Sequence, residues 1–359
     1  MRPGSRELGG RAIWSEVDIR MMRRAIQLSK RGFPAPNPHV GCVIALKEQI
    51  VGEGYHHHAG AAHAEIEALK IAKGEARGAT AYVSLEPCNH HGRTPPCTKA
   101  LIEAQVKRVV IACRDPNPAA AGGIDRLKSE GIIVEAGLLE KQAAAANDQF
   151  LTAMRLNRPR ILLKAAMSLD GRIALPNGDS KWITSPDARK LGHRLRAECG
   201  AVLVGRRTVE ADDPELTARI PGVVNQPLRI VLDPKGKLGS HWKVFDDSAP
   251  SLHVVNGTFG LRSTADGFDL AELCSALFKQ GVSGLMVEGG ASTAAHFVEA
   301  GIVDLVELFV APKLLGSGPA WVEGLNLDAV GQAPLFKLHS VKKLKADLNI
   351  SLRFERGNF

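Results

Sequence analysis

Two stretches decide the fold of the first half of the chain: HAE at residues 63–65 and PCNHHGRTPPC at residues 87–97. One imidazole, His63, and two thiols, Cys88 and Cys97, give three ligands for a tetrahedral zinc ion and leave one position open for water, whereas a structural zinc site closes all four. Glu65 follows the histidine by two residues and is no ligand. In the first turn of a helix that also holds His63, its carboxylate can take the proton of an ion-activated water. The pattern predicts that helix over residues 63–73. It also predicts a strand over 79–86 whose following loop and helix start present the cysteines, since a positive helix end favours thiolate. A closed structural site completed by His90 or His91 is the competing reading. The run His56, His57 and His58 reads as loop beside the pocket, with one of the three in reach of substrate.

Working outward, a helix is expected from Asp18, with Ile19, Met22, Ile26 and Ser29 on one side, ended by Gly32 and the prolines of PAPNPH at 34–39. The apolar runs VGCVIAL and IVGEGY around a polar KEQ break form a hairpin. Helices at 98–104 and 124–131 alternate with strands at 108–112 and 132–134, which implies a largely parallel sheet covered by helices on both faces. One long helix is expected over 138–156, broken by NRPR before the strand RILLKAA. The domain boundary falls there, at about residues 147–159. The reading is a flexible arm at 1–15, one domain at 16–150 and a second at 151–359. In the second, strands at 161–165, 201–205, 228–232, 252–255 and 285–288 combine with helices at 186–197, 270–280 and 291–300 and a β-rich tail. The halves share no repeat, so two different modules are fused.

A chain of 359 residues suits two domains, and 45% hydrophobic with 23% charged residues excludes a disordered or fibrous protein. The start lacks the apolar core of a secretory signal, and Glu7 and Glu16 count against an organelle-targeting peptide. With no later stretch long and apolar enough for a membrane helix, the expectation is a cytoplasmic protein. A net charge of +8 favours anionic partners: nucleic acid, a phosphorylated metabolite or a nucleotide cofactor. Aromatic content of 5% argues against base-stacking platforms. Six cysteines are too sparse for a disulfide scaffold, and Cys42, Cys113, Cys199 and Cys274 read as buried thiols.

The H-x-E…P-C…C arrangement is that of zinc-dependent deaminases. By itself it leaves open a deaminase acting on a flipped base in tRNA or a single strand, and a zinc-stabilised binding module. Longer text narrows this: PNPHVGCVI, GEGYHHHAGAAHAEIEAL, GATAYVSLEPCNHHGRTPPCTKAL and RDPNP, then LKAAMSLDGRIA, SKWITSPDAR, ADDPELTAR, VEGGAST and FVAPKLLG. In this order, over residues 18–350, the chain resembles the bifunctional riboflavin-biosynthesis deaminase–reductases. The resemblance implies an α/β chain with a cytidine-deaminase-like three-layer α/β/α domain followed by a dihydrofolate-reductase-like α/β domain. It implies one Zn2+ per chain and NADPH, and two successive reactions on a small phosphorylated pyrimidine. The first removes the 2-amino group of 2,5-diamino-6-(ribosylamino)pyrimidinone 5′-phosphate by hydrolysis; the second reduces its ribosyl unit to ribityl.

By that resemblance His63, Cys88 and Cys97 hold zinc and Glu65 shuttles the proton, while Asn37, His56, Arg93, Asp115 and Asn117 hold the first substrate. In the second domain VEGGAST has a strand–glycine–helix layout whose free amides can receive a phosphate. In the family context the cofactor falls to Gly290, Ala291, Ser292, Thr293, Ala294, Ala295 and His296, with Ala166, Trp182, Thr208 and Asp212. Ser180, Arg196, Leu216, Arg219 and Glu288 would hold the second substrate, with Lys164 orienting it. Arg196 and Arg219 also read as exposed salt-bridge partners, and Trp182 as core. A homo-oligomer, dimer or tetramer, is implied, with no nucleic-acid or membrane partner. The DPNPAAAGGIDRL loop is shorter than the family pattern. Arg206 and Arg207 stand where smaller residues are usual, next to the site expected for the cofactor's 2′-phosphate.

Overall fold

In the computed structural model, which describes residues 14–90, 95–264 and 267–354, the chain falls into two units that meet in sequence at Arg155 and Leu156. The first contains α1 (Glu16–Ser29), β1 (Gly41–Leu46), β2 (Gln49–Tyr55), α2 (Ala64–Ala72), β3 (Thr80–Leu85), α3 (Cys97–Glu103), β4 (Arg108–Cys113), α4 (Gly123–Ser129), β5 (Ile133–Ala136), α5 (Glu140–Ala146) and α6 (Asp148–Leu156). Helix α1 begins ahead of the expected Asp18 because Ser15 and Asp18 form a reciprocal capping box.

The five strands lie in the order β2-β1-β3-β4-β5. Only β3, β4 and β5 run parallel; β1 is antiparallel to both its neighbours. The expected hairpin is β1 and β2, since a turn as short as Lys47 and Glu48 can join only antiparallel strands, and the expected largely parallel part begins at β3. Alternate residues serve opposite faces: Cys42, Ile44, Ala81, Val83, Val109 and Ile111 pack under α2, α3 and α4. Val43, Ala45, Tyr82, Val110 and Ala112 pack under α1, α5 and α6. Burial on both faces explains why these strands read as unbroken apolar runs.

The helix expected over 138–156 is two, α5 and α6, with Asn147 (φ −111°, ψ 16°) between them. An asparagine that bonds a distant backbone competes with the helix ladder. Asn147 does so, as described below.

The second unit contains β6 (Arg160–Ser168), α7 (Pro186–Cys199), β7 (Ala201–Gly205), α8 (Arg206–Asp212), β8 (Leu228–Leu232), β9 (Ser251–Val254), β10 (Ser263–Thr264), β11 (Gly267–Phe268), α9 (Leu270–Lys279), β12 (Gly284–Val287), α10 (Ala291–Glu299), β13 (Leu305–Ala311), β14 (Phe336–Leu344) and β15 (Asp347–Phe354). Eight strands form the order β14-β15-β13-β6-β12-β7-β8-β9. Those from β13 to β9 are parallel, and the β-rich tail is an antiparallel hairpin added at one edge. Leucines and valines of α9 and α10 fill one face; α7 and α8 cover the other. Helix α8, absent from the sequence reading, is a short segment with only Val209 buried. No helix among the described residues is long and apolar enough to cross a membrane.

One buried network ties the first unit together. Asp18 accepts from Tyr82 Oη at 2.8 Å and Arg108 Nη1 at 2.6 Å, and Arg108 Nε donates to Glu135 at 2.6 Å, so α1 is fastened to β3, β4 and β5. Burial alone would raise the Asp18 carboxyl, but Arg108, Tyr82 and Ser15 outweigh it and bring it down to about 2 from 3.8. A depressed carboxylate contributes stability above its ordinary range and loses it as pH falls through the folded value. Asp18→Asn is expected to lower the unfolding free energy of this unit by about 2 kcal/mol at neutral pH. In urea titrations the gap to wild type should close as pH falls from about 4 toward 2; a gap independent of pH would show that the carboxylate charge is not what stabilises.

Two candidate active sites

The first site is set by how closely α2 lies on β2. A Cβ on Gly52 or Gly54 would stand 2.2 Å from the carbonyl oxygen of Ala68 or Ala64, so only glycine permits this contact. It places His63, the N-cap of α2 and not a first-turn residue, and then Glu65 in the first turn. Cys88 comes from the loop after β3, and Cys97 is the first residue of α3. The start of α4 braces that loop, since a Cβ on Gly123 would lie 2.0 Å from the Pro87 carbonyl oxygen.

The ligand atoms of His63, Cys88 and Cys97 lie within 4.8 Å of one another. His63 Nδ1 is 3.2 Å from Cys97 Sγ and 3.6 Å from Cys88 Sγ. A tetrahedral zinc with bonds of about 2.0–2.3 Å has N···S edges of about 3.6 Å, so this donor set fits the ion. The Cys97 thiol bonded to Cys88, helped by His63 and opposed by burial, holds the Cys88 thiol down at about 4, the thiolate form that zinc takes. His90 is exposed and stands outside this ligand set, and no fourth protein ligand joins it among the described residues. His91 and Arg93 lie outside the described residues. Among the described residues the site is therefore an open one.

A cavity of about 440 Å3 adjoins the ligands, lined by Asn37, His56, Glu65, Glu86, His90, Asp115, Asn117 and Phe150 among others. Glu65 is 3% exposed. Burial pushes its carboxyl up to about 7, and the Cys88 thiolate adds to the rise. Asp115 accepts the Asn117 N–H at 2.8 Å, and burial above all lifts it to about 6. His56 Nδ1 lies 3.1 Å from the Ala62 carbonyl, to which it must donate; its Nε2 then accepts from Asn37 Nδ2 at 3.1 Å. Burial lowers His56 to about 4, which keeps the ring neutral. Sequence reasoning missed Glu86, adjacent to the P-C motif, and Phe150, for which the sequence carries no local signal.

The second site lies at the carboxyl ends of β6, β7 and β12, where the chain crosses over in an open α/β sheet and crevices form. A cavity of about 610 Å3 there is lined by Lys164, Ala166, Ser180, Trp182, Arg196, Thr208, Asp212, Leu216, Arg219, Glu288, Gly290 and Ala294, all named from the sequence. Ala291, Ser292, Thr293, Ala295 and His296 do not line it, because α10 turns only part of its surface toward the opening; Ala295 is buried. The glycine corner is tight: a Cβ on Gly289 would lie 2.7 Å from Thr293 Cβ, and one on Gly205 2.8 Å from Thr293 Oγ1. Thr208 Oγ1 accepts the Gly290 N–H at 3.2 Å. A cavity of this size, with Gly289 and Gly290 in its lining and cationic side chains around it, suits an anionic cofactor.

Lys164 Nζ and Arg196 Nε donate to the two oxygens of Glu288 at 3.0 and 2.8 Å. Burial raises the Glu288 carboxyl, but Arg196 and Lys164 outweigh it and hold it far below the usual range. Arg196 is thus a largely buried partner and not a surface one, whereas Arg219 is exposed and paired with Glu215. Trp182 is 62% exposed, not core, and carries the Arg189 guanidinium on its face at 4.4 Å. Arg206 pairs with Glu210 and approaches Asp233 at 3.8 Å, and Arg207 is exposed. Arg189, His193, Lys181 and Lys243 also line the cavity and were not foreseen.

The loop from Glu215 to Arg219 is held from several sides. Arg196 Nη1 donates to the Thr217 carbonyl at 3.0 Å, and Gln226 Oε1 accepts the Ala218 N–H at 2.8 Å. Arg229 Nη1 donates to the Glu215 carbonyl at 3.2 Å. Within it Leu216, 3% exposed, adopts φ +55°.

An open His/Cys/Cys site beside a buried carboxylate, and a second α/β unit with a cationic cavity of its own, define the class: a two-site enzyme with a cytidine-deaminase-like first half. The model of the cytidine and deoxycytidylate deaminase zinc-binding region matches residues 15–113, and that of the RibD C-terminal domain matches residues 159–350. The riboflavin biosynthesis protein RibD of Escherichia coli (strain K12) is 42% identical over 359 aligned residues, covering 92% of this chain and 98% of its own. That of Aquifex aeolicus (strain VF5) is 41% identical, covering 92% and 96%. Among solved structures, Acinetobacter baumannii RibD has a TM-score of 0.86 at 40% identity, covering 95% of this chain and all (100%) of that one. A diaminohydroxyphosphoribosylaminopyrimidine deaminase/5-amino-6-(5-phosphoribosylamino)uracil reductase of Thermotoga maritima has a TM-score of 0.83 at 34% identity, covering 94% and 99%. The chain belongs to the RibD family.

Removing charge from Glu288 leaves two buried cations without a counterion. Glu288→Gln is expected to destabilise the second unit by about 3 kcal/mol in urea and to raise the reductase KM at least tenfold. Unchanged stability and KM would show the cluster to be dispensable.

Proposed function

We propose that the chain catalyses two successive steps of riboflavin biosynthesis. In the first unit the 2-amino group of 2,5-diamino-6-(ribosylamino)pyrimidinone 5′-phosphate is hydrolysed off. In the second, the ribosyl side chain of the product is reduced to ribityl with NADPH. The observation that carries this reading is the convergence of His63, Cys88 and Cys97 beside buried Glu65, in a chain aligned along nearly its whole length with RibD proteins. A base deaminase acting on tRNA or a single strand would make no use of the second cavity, and its half of the chain matches the RibD C-terminal domain.

Zinc bound at these ligands makes water nucleophilic near neutral pH. Glu65, buried beside the ligands, takes the proton of the attacking water and returns it to the departing amine, which leaves as ammonia. Asn37, His56, Asp115 and Asn117 orient the ring, with His56 as a neutral imidazole. Arg93 belongs to the substrate set on the strength of the family alone.

Bound in the second unit, NADPH would supply a hydride to C1′ of the ribosyl unit, with the C1′–O4′ bond breaking and O4′ taking a proton to give the open ribityl chain. Thr208, Ala166, Trp182 and Asp212 hold the cofactor together with the segment from Gly290 through Ala291, Ser292, Thr293, Ala294 and Ala295 to His296. Lys164 and Glu288 orient the sugar, with Ser180 and Leu216 beside it, and Arg196 and Arg219 attract its phosphate. The partners are small phosphorylated molecules and a second copy of the chain, with no nucleic acid, and the compartment is the cytoplasm.

The test is turnover of the diamino substrate by zinc-loaded protein, reading ammonia first and NADPH oxidation after it. Glu65→Ala should abolish ammonia release while reducing pre-deaminated substrate at the wild-type rate. No ammonia from zinc-replete wild type would overturn the substrate assignment.

A further inference from the structure

Asn147, at the junction of α5 and α6, is 1% exposed, and its carboxamide grips one residue of a loop far away in sequence. Oδ1 accepts the His39 N–H at 2.7 Å and Nδ2 donates to the His39 carbonyl at 2.9 Å. Two bonds to the same peptide residue fix its orientation as well as its place, much as a strand partner would. The same loop carries Asn37, whose Nδ2 meets His56 Nε2 at the wall of the deaminase cavity. Other ties hold the loop as well: Phe33 N–H to the His57 carbonyl and His56 N–H to the Val40 carbonyl, each at 2.9 Å, Asn37 N–H to the Pro34 carbonyl at 2.8 Å, and the His39 ring Nδ1 to the Ser29 carbonyl at 3.0 Å. Asn147 itself does not line the cavity, although Phe150, on the next turn of α6, does.

We propose that Asn147 is a positioning residue for deamination. By clamping His39 it sets the reach of Asn37 and, through Asn37, the orientation of the His56 ring that faces the pyrimidine. The inference rests on the deaminase reading above. Asn147 acts on the hold of the substrate, not on the zinc ligands or Glu65, which come from other elements.

The experiment is a double-mutant cycle of Asn147→Ala with Asn37→Ala, measuring kcat and KM for ammonia release, zinc per chain, and reduction of pre-deaminated substrate. Loss of two buried hydrogen bonds should raise KM for the diamino substrate about tenfold and change kcat less than about threefold. Zinc content and the reductase rate should match wild type. Because Asn147 acts through Asn37, the double variant should have the KM of Asn37→Ala alone, within about twofold. Asn147→Asp keeps the acceptor for the His39 N–H and should fall between wild type and alanine; if the alanine variant fails to accumulate with zinc, the same cycle is run with it. Independent, multiplying effects of the two substitutions, or activity lost in proportion to zinc, would overturn the proposal. Wild type that deaminates nothing would instead remove the reading beneath it.

Discussion

The first site depends on the contact between α2 and β2. Two glycines let helix and strand backbones touch, and from that contact follow the position of the α2 N-terminus, of His63 at its cap, and of Glu65 in its first turn. Cys88 and Cys97 arrive from the other side of the sheet order, on the β3–α3 connection, so the three ligands meet only when both helices are docked. Binding of zinc at such a place is linked to folding, because the unfolded chain cannot gather the ligands. The metal thus stabilises the arrangement that receives it.

The two cavities each hold a buried carboxylate, and the surroundings give them opposite characters. Glu65 has burial and a thiolate near it, and its carboxyl rises to about 7, where it can carry a proton in either direction. Glu288 is flanked by Lys164 and Arg196, which keep it charged throughout any working range. One serves as a proton carrier and the other as a fixed anion that holds two cations in place. Similar residues yield different chemistry because their neighbours differ.

Much of this was legible in the sequence, and the limits have physical causes. The zinc ligands could be read because a tetrahedral ion demands particular residue types at short spacing, and the strands because burial on both faces leaves unbroken apolar runs. Asn147 and Phe150 could not be read. Their effect passes through contacts with residues about a hundred positions away, and in the one-dimensional pattern they continue a helix. Of the run from Gly290 to His296, Gly290 and Ala294 line the cavity, since a helix turns only some of its residues toward any one opening. The hairpin of β1 and β2 and the parallel run from β3 onward were both legible, because a two-residue polar break and a helical crossover demand opposite strand directions. Residue roles in the second cavity came from family likeness more than from spacing.

Leu216 shows what a site of this kind asks of its scaffold. A leucine in the left-handed region is roughly 1–2 kcal/mol less comfortable than in an ordinary conformation, yet it is buried and gripped on both sides by Arg196, Gln226 and Arg229. Glycine at this position would relieve the local torsion, but the unfolded chain would gain freedom and the cavity wall would lose its side chain. Comfort and aim are opposed here. Gln226 and Arg229, which do not line the cavity, share with Arg196 the burden of keeping a reluctant backbone bent, so the fidelity of the second site rests in part on residues that an inspection of its walls alone would overlook.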